Sequence, residues 1–160
     1  MSDGIHLELV RLEGARLLDL VEQLQTLVRD AEGDDPALDR LTPTPYPDDE
    51  TAARDFLETT RHDLLDSRVR DAAIVIDALL PFRAFDELSE EEGLASTVVD
   101  IPLAHIDAWM RTLNALRLVL ASRLGISDDD SHDGQDARFG VYDWLGYRLE
   151  TIIVAADEAS

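Results

Sequence analysis

Residues whose types and spacing could do chemistry fall in three places along this chain. His62-Asp63 has the form of a metal-holding dyad for hydrolysis, which would need further His and Asp ligands converging from other helices. The remaining histidines, His6, His105 and His132, show no ligand spacing, and two adjacent residues alone are a weak signal. Asp128-Asp129-Asp130-Ser131-His132-Asp133-Gly134 invites a calcium reading. Starting the loop at Asp129 places Gly134 sixth but leaves Gly140 where the bidentate Glu belongs; starting at Asp128 puts Asp133 in place of the Gly. A solvated loop is the better reading. The third place is a polar group aimed near a predicted core: Asn114 and Arg117 on one helix, Tyr142 and Asp143 on another, with Trp109, Arg123 and Trp144 beside them. At ~100° per residue the apolar stripe of the first helix centres near Trp109; Arg123 falls on its edge, Arg117 lies ~80° round, and Arg111 points away. A guanidinium near the core must find a carboxylate or carbonyl, because an unpaired buried charge is very costly. Asp143 is the predicted acid for Arg117, as a helix-to-helix clamp. The competing reading makes Asn114, Arg117, Tyr142 and Asp143 the lining of a pocket or a partner-binding surface, and the residues leave both open.

No HExxH, GxSxG, GxGxxG or P-loop pattern occurs. Cysteine is absent, which excludes a disulfide scaffold, a thiolate nucleophile, a thiol switch and any Cys-based zinc or iron–sulfur centre. The expectation is therefore a non-enzymatic chain with no cofactor and no metal.

The elements that must position these residues are mostly helical. Ile5, Leu7 and Leu9 alternate with polar residues, a short half-buried strand. From Leu12 the period changes: Leu17, Val21, Leu24, Val28 and Ala31 step by 4, 3, 4 and 3, and Gly33 suits the C-terminal end. The width of that stripe, with Leu18, Leu20 and Leu27 added, fits a buried helix or one shared with a homodimer partner. A Pro-rich crossing spans 34–50; its core, Thr42 to Pro47, is no helix because each residue before a proline is driven to extended geometry. A surface crossing is the plain reading, and a proline-rich ligand for a partner the sharper one. Ala53 to Leu64 and Leu65 to Leu79 read as two helical stretches, meeting at an angle if Thr60 to Asp63 acts as a capping box, and Pro81 stops the run. Acidic loops are expected at 86–92 and 126–136. Thr97 to Ile101 reads as a second strand that could pair with residues 5–9. Two final helices follow, one from Trp109 to Leu124 ended by Gly125, and one carrying Phe139, Tyr142, Leu145, Leu149, Ile152 and Ile153. The predicted fold is mainly α: a single-domain bundle of four to five helices over 1–160 with a minor two-stranded ribbon.

Composition sets the surface. The formal charge over 160 residues is −21, and all fourteen cations are arginine. Such a surface repels phosphate, so direct binding to nucleic acid is not expected. The longest apolar run, Ala72 to Leu80, is broken by Asp77 and too short to span a bilayer. The start of the chain lacks a signal peptide's basic n-region, so a cytoplasmic location is the expectation.

Two stretches carry a family resemblance. L-T-P-T-P-Y-P-D-D, Leu41 to Asp49, precedes an acid-and-arginine helix with Asp63-Leu64. W-M-R-T-L-N-A-L-R-L-V-L-A-S-R-L-G-I, Trp109 to Ile126, is followed by V-Y-D-W-L-G, Val141 to Gly146. Together they resemble the actinobacterial domain-of-unknown-function family 2017, also labelled AosR-type oxidative stress regulators. The resemblance implies a helical regulator of gene expression working through protein contacts, for example with a sigma factor or RNA polymerase. A gene neighbourhood shared with a Clp protease adaptor, also implied by the resemblance, keeps a role as adaptor or scaffold in proteolysis open. Thiol-based sensing is excluded in this chain whatever its relatives do. Trp109, Asn114, Arg117, Arg123, Tyr142, Asp143 and Trp144 match the family's C-terminal stretch, and no catalytic role comes with them.

Overall fold

Alternation near the N-terminus produces β1 (Gly4–Val10), which turns Ile5, Leu7 and Leu9 inward and His6 and Glu8 outward. β1 pairs antiparallel with β2 (Ser96–Pro102), with Gly4 opposite Pro102 and Val10 opposite Ser96. This register sets Ile5 beside Ile101 and Leu7 beside Val99 on the buried side, and His6 against Asp100 in a solvent-side hydrogen bond. The minor ribbon expected from residues 5–9 and 97–101 is thus present. The computed structural model describes residues 4–30, 41, 50–85, 94–124 and 140–159. The Pro-rich crossing, apart from helical, buried Leu41 and helical Glu50, lies outside them. So do both acidic loops, Gly33, Gly125 and the expected calcium-like sequence.

Four helices are present among the described residues: α1 (Arg11–Arg29), α2 (Glu50–Leu79), α3 (Ile106–Leu124) and α4 (Gly140–Ala159). α1 follows β1 directly. Val10 at the N-cap is extended, and its N–H donates to the carboxylate of Glu13 in the first turn at 3.3 Å, satisfying one of the donors a helix start leaves open. The wide stripe of α1 is filled from within the chain, since Leu17, Leu18, Val21, Leu24 and Val28 are buried and the helix packs against α2, α3 and β1. Gln25 Nε2 reaches the Val69 carbonyl of α2 at 3.2 Å.

α2 is one continuous helix, so the two stretches expected at Ala53–Leu64 and Leu65–Leu79 are not separate helices. No Gly or Pro interrupts residues 51–79, and the backbone donors a cap at Thr60 would serve already have partners one turn back. Pro81 does end the α-helix, and a 3-10 segment (Leu80–Phe85) swings Phe82 under α1. There it meets Gly14, where even a Cβ would come within 2.0 Å of the Phe82 ring. A side chain at Gly14 and that buried ring cannot share the space. His105 ends the short 3-10 segment Leu103–His105 that leads into α3.

One cluster of buried side chains joins both strands and all four helices, including Leu9, Val21, Val75, Val99, Trp109, Leu113, Leu145 and Ile152. α3 lies between α2 and α4, and α4 reaches back to β1. Burial of apolar area on this scale, at roughly 25 cal/mol per Å², is what holds four helices around so small a sheet. No helix among the described residues is long and apolar enough to cross a membrane.

Candidate interaction surface

The structure separates the predicted C-terminal constellation into core, packing and surface. Trp109 has no exposed surface and belongs to the core. Asn114 is exposed on α3. Arg123, also exposed, borders a cavity of about 260 Å³ between α1 and α3, walled by Leu20, Leu24, Leu27, Leu116 and Leu120. Arg117 and Tyr142 do meet, yet differently from the predicted clamp. The guanidinium of Arg117 lies over the Tyr142 ring, 4.3 Å from its centroid, one residue before the carboxylate expected to receive it. Its Nε makes no hydrogen bond. Gly146, one turn beyond Tyr142, leaves the space this stacking needs, since a Cβ there would stand 3.1 Å from the guanidinium carbon. A cation on an aromatic face is worth roughly 0.5–2 kcal/mol, less than a buried ion pair broken at one end.

The interhelical clamp exists, built from Arg111 instead. Its Nε and Nη2 donate to the two carboxylate oxygens of Asp71 on α2, at 2.8 and 3.2 Å. Asp71 is nearly buried, with its side chain 9 % exposed against 52 % for Arg111. The Asp71 hydrogen bond holds the Arg111 guanidinium more firmly protonated than usual. Burial pulls neighbouring Arg68 the other way, against the attraction of Asp71. Arg111 does point away from the Trp109 stripe, but that side is not free: Ala108, Thr112 and Ala115 form a second buried strip beside it. Small residues that let α2 approach closely carry little hydropathic signal, which is why periodicity alone sends Arg111 to solvent.

A second junction draws on Trp144. Its indole N–H donates to the Glu13 carboxylate, and Arg148 Nη2 donates to both Glu13 oxygens at 3.0 and 2.8 Å. The side chains of Arg148 and Glu13 are only 16 % and 24 % exposed. Burial alone would raise the Glu13 pKa, but the hydrogen bonds from Arg148, Trp144 and the Val10 N–H, together with the Arg148 charge, bring it below its usual value. One carboxylate thereby caps α1 and ties it to α4. Beside it a shallow cavity of about 310 Å³ is walled by Leu12, Arg16, Gly140, Val141 and Trp144. Neither Glu13 nor Arg148 stands out in a sequence of abundant acids and arginines, and their separation of 135 residues gives no local pattern.

None of these clusters holds a nucleophile beside a base. Among the described residues no group of three or more His, Asp or Glu converges as a metal would require, and Asp63 of the His-Asp pair is exposed on α2. Among the described residues the surface carries acids, arginines such as Arg16, Arg29 and Arg70, and scattered apolar side chains, including Tyr147, Ile153 and Val154 on α4.

No curated protein and no solved structure matches the chain. The family described as domain of unknown function (DUF2017) matches residues 1–156, and the chain belongs to that family.

Proposed function

We propose that this chain is a non-enzymatic regulator that works by binding a basic surface of a protein partner, with a sigma factor or RNA polymerase as its target. The observation that carries the reading is how the charge is distributed. Against a net charge of −21, several of the fourteen arginines are spent on the protein's own acids: Arg111 on Asp71, Arg148 on Glu13, Arg83 on Glu22. Among the described residues, acids such as Asp19, Asp63, Asp77, Asp107, Glu150 and Glu158 are exposed. Such a surface speeds encounter with a cationic partner and makes the complex sensitive to salt. The choice of transcription machinery is supported by the resemblance to AosR-type regulators, and the lack of cysteine excludes thiol oxidation as the signal.

The test is surface-based binding of purified RNA polymerase core and sigma factors to the immobilised chain, at about 0.02 M and about 0.15 M ionic strength, where screening lengths differ severalfold. Binding to one of these components that weakens severalfold as salt rises supports the reading. Absence of binding to all of them at low salt overturns it.

A further inference from the structure

The outward face of α4 combines two properties that seldom share a helix without purpose. Tyr147 is 65 % exposed and Val154 is 47 % exposed, one heptad apart, with Ile153 also open to solvent. Around them stand Glu150 and Glu158, both exposed. Tyr147, Glu150, Thr151, Val154, Ala155 and Glu158 line a shallow trough of about 340 Å³. Spacings of three, four, seven, eight and eleven residues from Tyr147 keep all six on one side of the helix. The opposite side of α4 supplies Leu145 and Ile152 to the core. The Arg148 guanidinium lies 5.5 Å from the Tyr147 centroid but is bound to Glu13.

We propose that this face docks a basic amphipathic helix of a partner protein, one whose apolar ridge at i, i+3 and i+7 is flanked by Arg or Lys. The proposal rests on the protein-contact reading above and gives that reading a surface and a partner chemistry. Tyr147 and Val154 supply anchors at the spacing of a helix-in-groove contact, and Glu150 and Glu158 sit where cations flanking the partner's ridge would fall. The ridge runs about 17 Å, the length of three helical turns. Charge selects this occupant over two others. A second copy of the chain would set Glu150 and Glu158 against the same acids and double a net charge of −21. An anionic membrane surface would be repelled by the same residues.

The probe is a fluorescein-labelled, 18-residue synthetic peptide with Leu at heptad a and d positions and Arg elsewhere, read by fluorescence anisotropy against the full chain. A counterpart with Glu in place of Arg is the control peptide. The Arg peptide binds and the Glu peptide does not. Tyr147→Ala with Val154→Ala weakens binding at least tenfold at physiological salt, and Glu150→Gln with Glu158→Gln weakens it severalfold. Glu8→Gln with Asp63→Asn, the same change in net charge on other exposed faces, leaves it within twofold. All six positions are at the surface, so thermal melts should match wild type. If the two charge pairs weaken binding equally and the apolar pair does nothing, the peptide is reading net charge and the α4 face is not a site, while the acidic-surface reading survives. If the Arg peptide fails to bind even at low salt, the α4 proposal falls, while the acidic-surface reading is decided by the polymerase and sigma-factor binding above.

Discussion

Glu13→Gln tests how one carboxylate joins the two ends of the fold. In the wild type Glu13 accepts from Val10, Trp144 and Arg148 at once. The amide retains one acceptor but no charge, which leaves the Arg148 guanidinium largely enclosed with its Nε already unbonded. Breaking a fully buried pair at one end costs about 3–5 kcal/mol, and breaking an exposed one about 0–1 kcal/mol. Side chains exposed by 16 % and 24 % place this pair nearer the buried limit, so the loss should be about 2–3 kcal/mol. For a chain of this size that is roughly 5–10 °C in Tm. Adding Arg148→Met removes the stranded charge, so the double variant should be less damaged than the sum of the singles, with a coupling of about 1–3 kcal/mol. The pH dependence has a definite sign. The folded pKa of Glu13 lies below its ordinary value of 4.5, so its contribution is complete above about that pH and fades as pH falls through the folded value. The gap between wild type and Glu13→Gln therefore narrows in acid and stays constant from mild acid to neutrality. Differential scanning calorimetry and urea midpoints from pH 3 to pH 7 measure all of this. A Tm within about 2 °C of wild type at neutral pH, or a gap that widens in acid, would refute the reasoning.

Substitutions at three further contacts probe the packing. Arg111→Ala should cost more than Asp71→Asn, about 2 against about 1 kcal/mol in urea midpoints, because the first strands a nearly buried carboxylate while the second returns a half-exposed guanidinium to water. Equal losses would mean that Arg68 neutralises Asp71 unaided. Gly14→Ala, although it favours the helix by roughly 0.5–1 kcal/mol, should lower stability by about 1–2 kcal/mol through collision with Phe82, and Phe82→Leu in the same chain should restore part of it. A more stable Gly14→Ala single variant contradicts that contact. Arg117→Leu should stay within about 1 kcal/mol of wild type in thermal melts, since it trades a stacked guanidinium with an unbonded Nε for apolar contact. A loss of several kcal/mol would mean that Arg117 is a carboxylate clamp after all.

The elements were legible wherever one face of a strand or helix is apolar and its neighbours polar. Alternation at Ile5, Leu7 and Leu9 marked β1, and the same inward pattern at Val99 and Ile101 marked its partner. The steps of four and three in Leu17, Val21, Leu24 and Val28 marked α1. Local cap chemistry misled at Thr60, because a capping box matters only where a helix begins, and nothing in residues 51–79 makes it begin twice. The polar contacts were harder to read. A helical wheel centred on Trp109 identifies the side lined with Leu but misses a side buried by Ala108, Thr112 and Ala115, and with it the pairing of Arg111 to Asp71. Arg117 stacks on the Tyr142 ring, one residue before the carboxylate expected to receive it, a contact that charge pairing alone does not suggest. Glu13 with Arg148 depends on bringing the start of α1 to the middle of α4, a tertiary fact with no local signature.

The central claim is that this chain works through electrostatically driven contact with the transcription machinery. The most direct measurement is affinity capture on the full chain from a native lysate of an organism carrying this protein, at low and at physiological salt, with the retained proteins identified by mass spectrometry. The account predicts retention of a sigma factor or RNA polymerase subunit that declines as salt rises. Retention of Clp protease components in their place, or of nothing even at low salt, would contradict it.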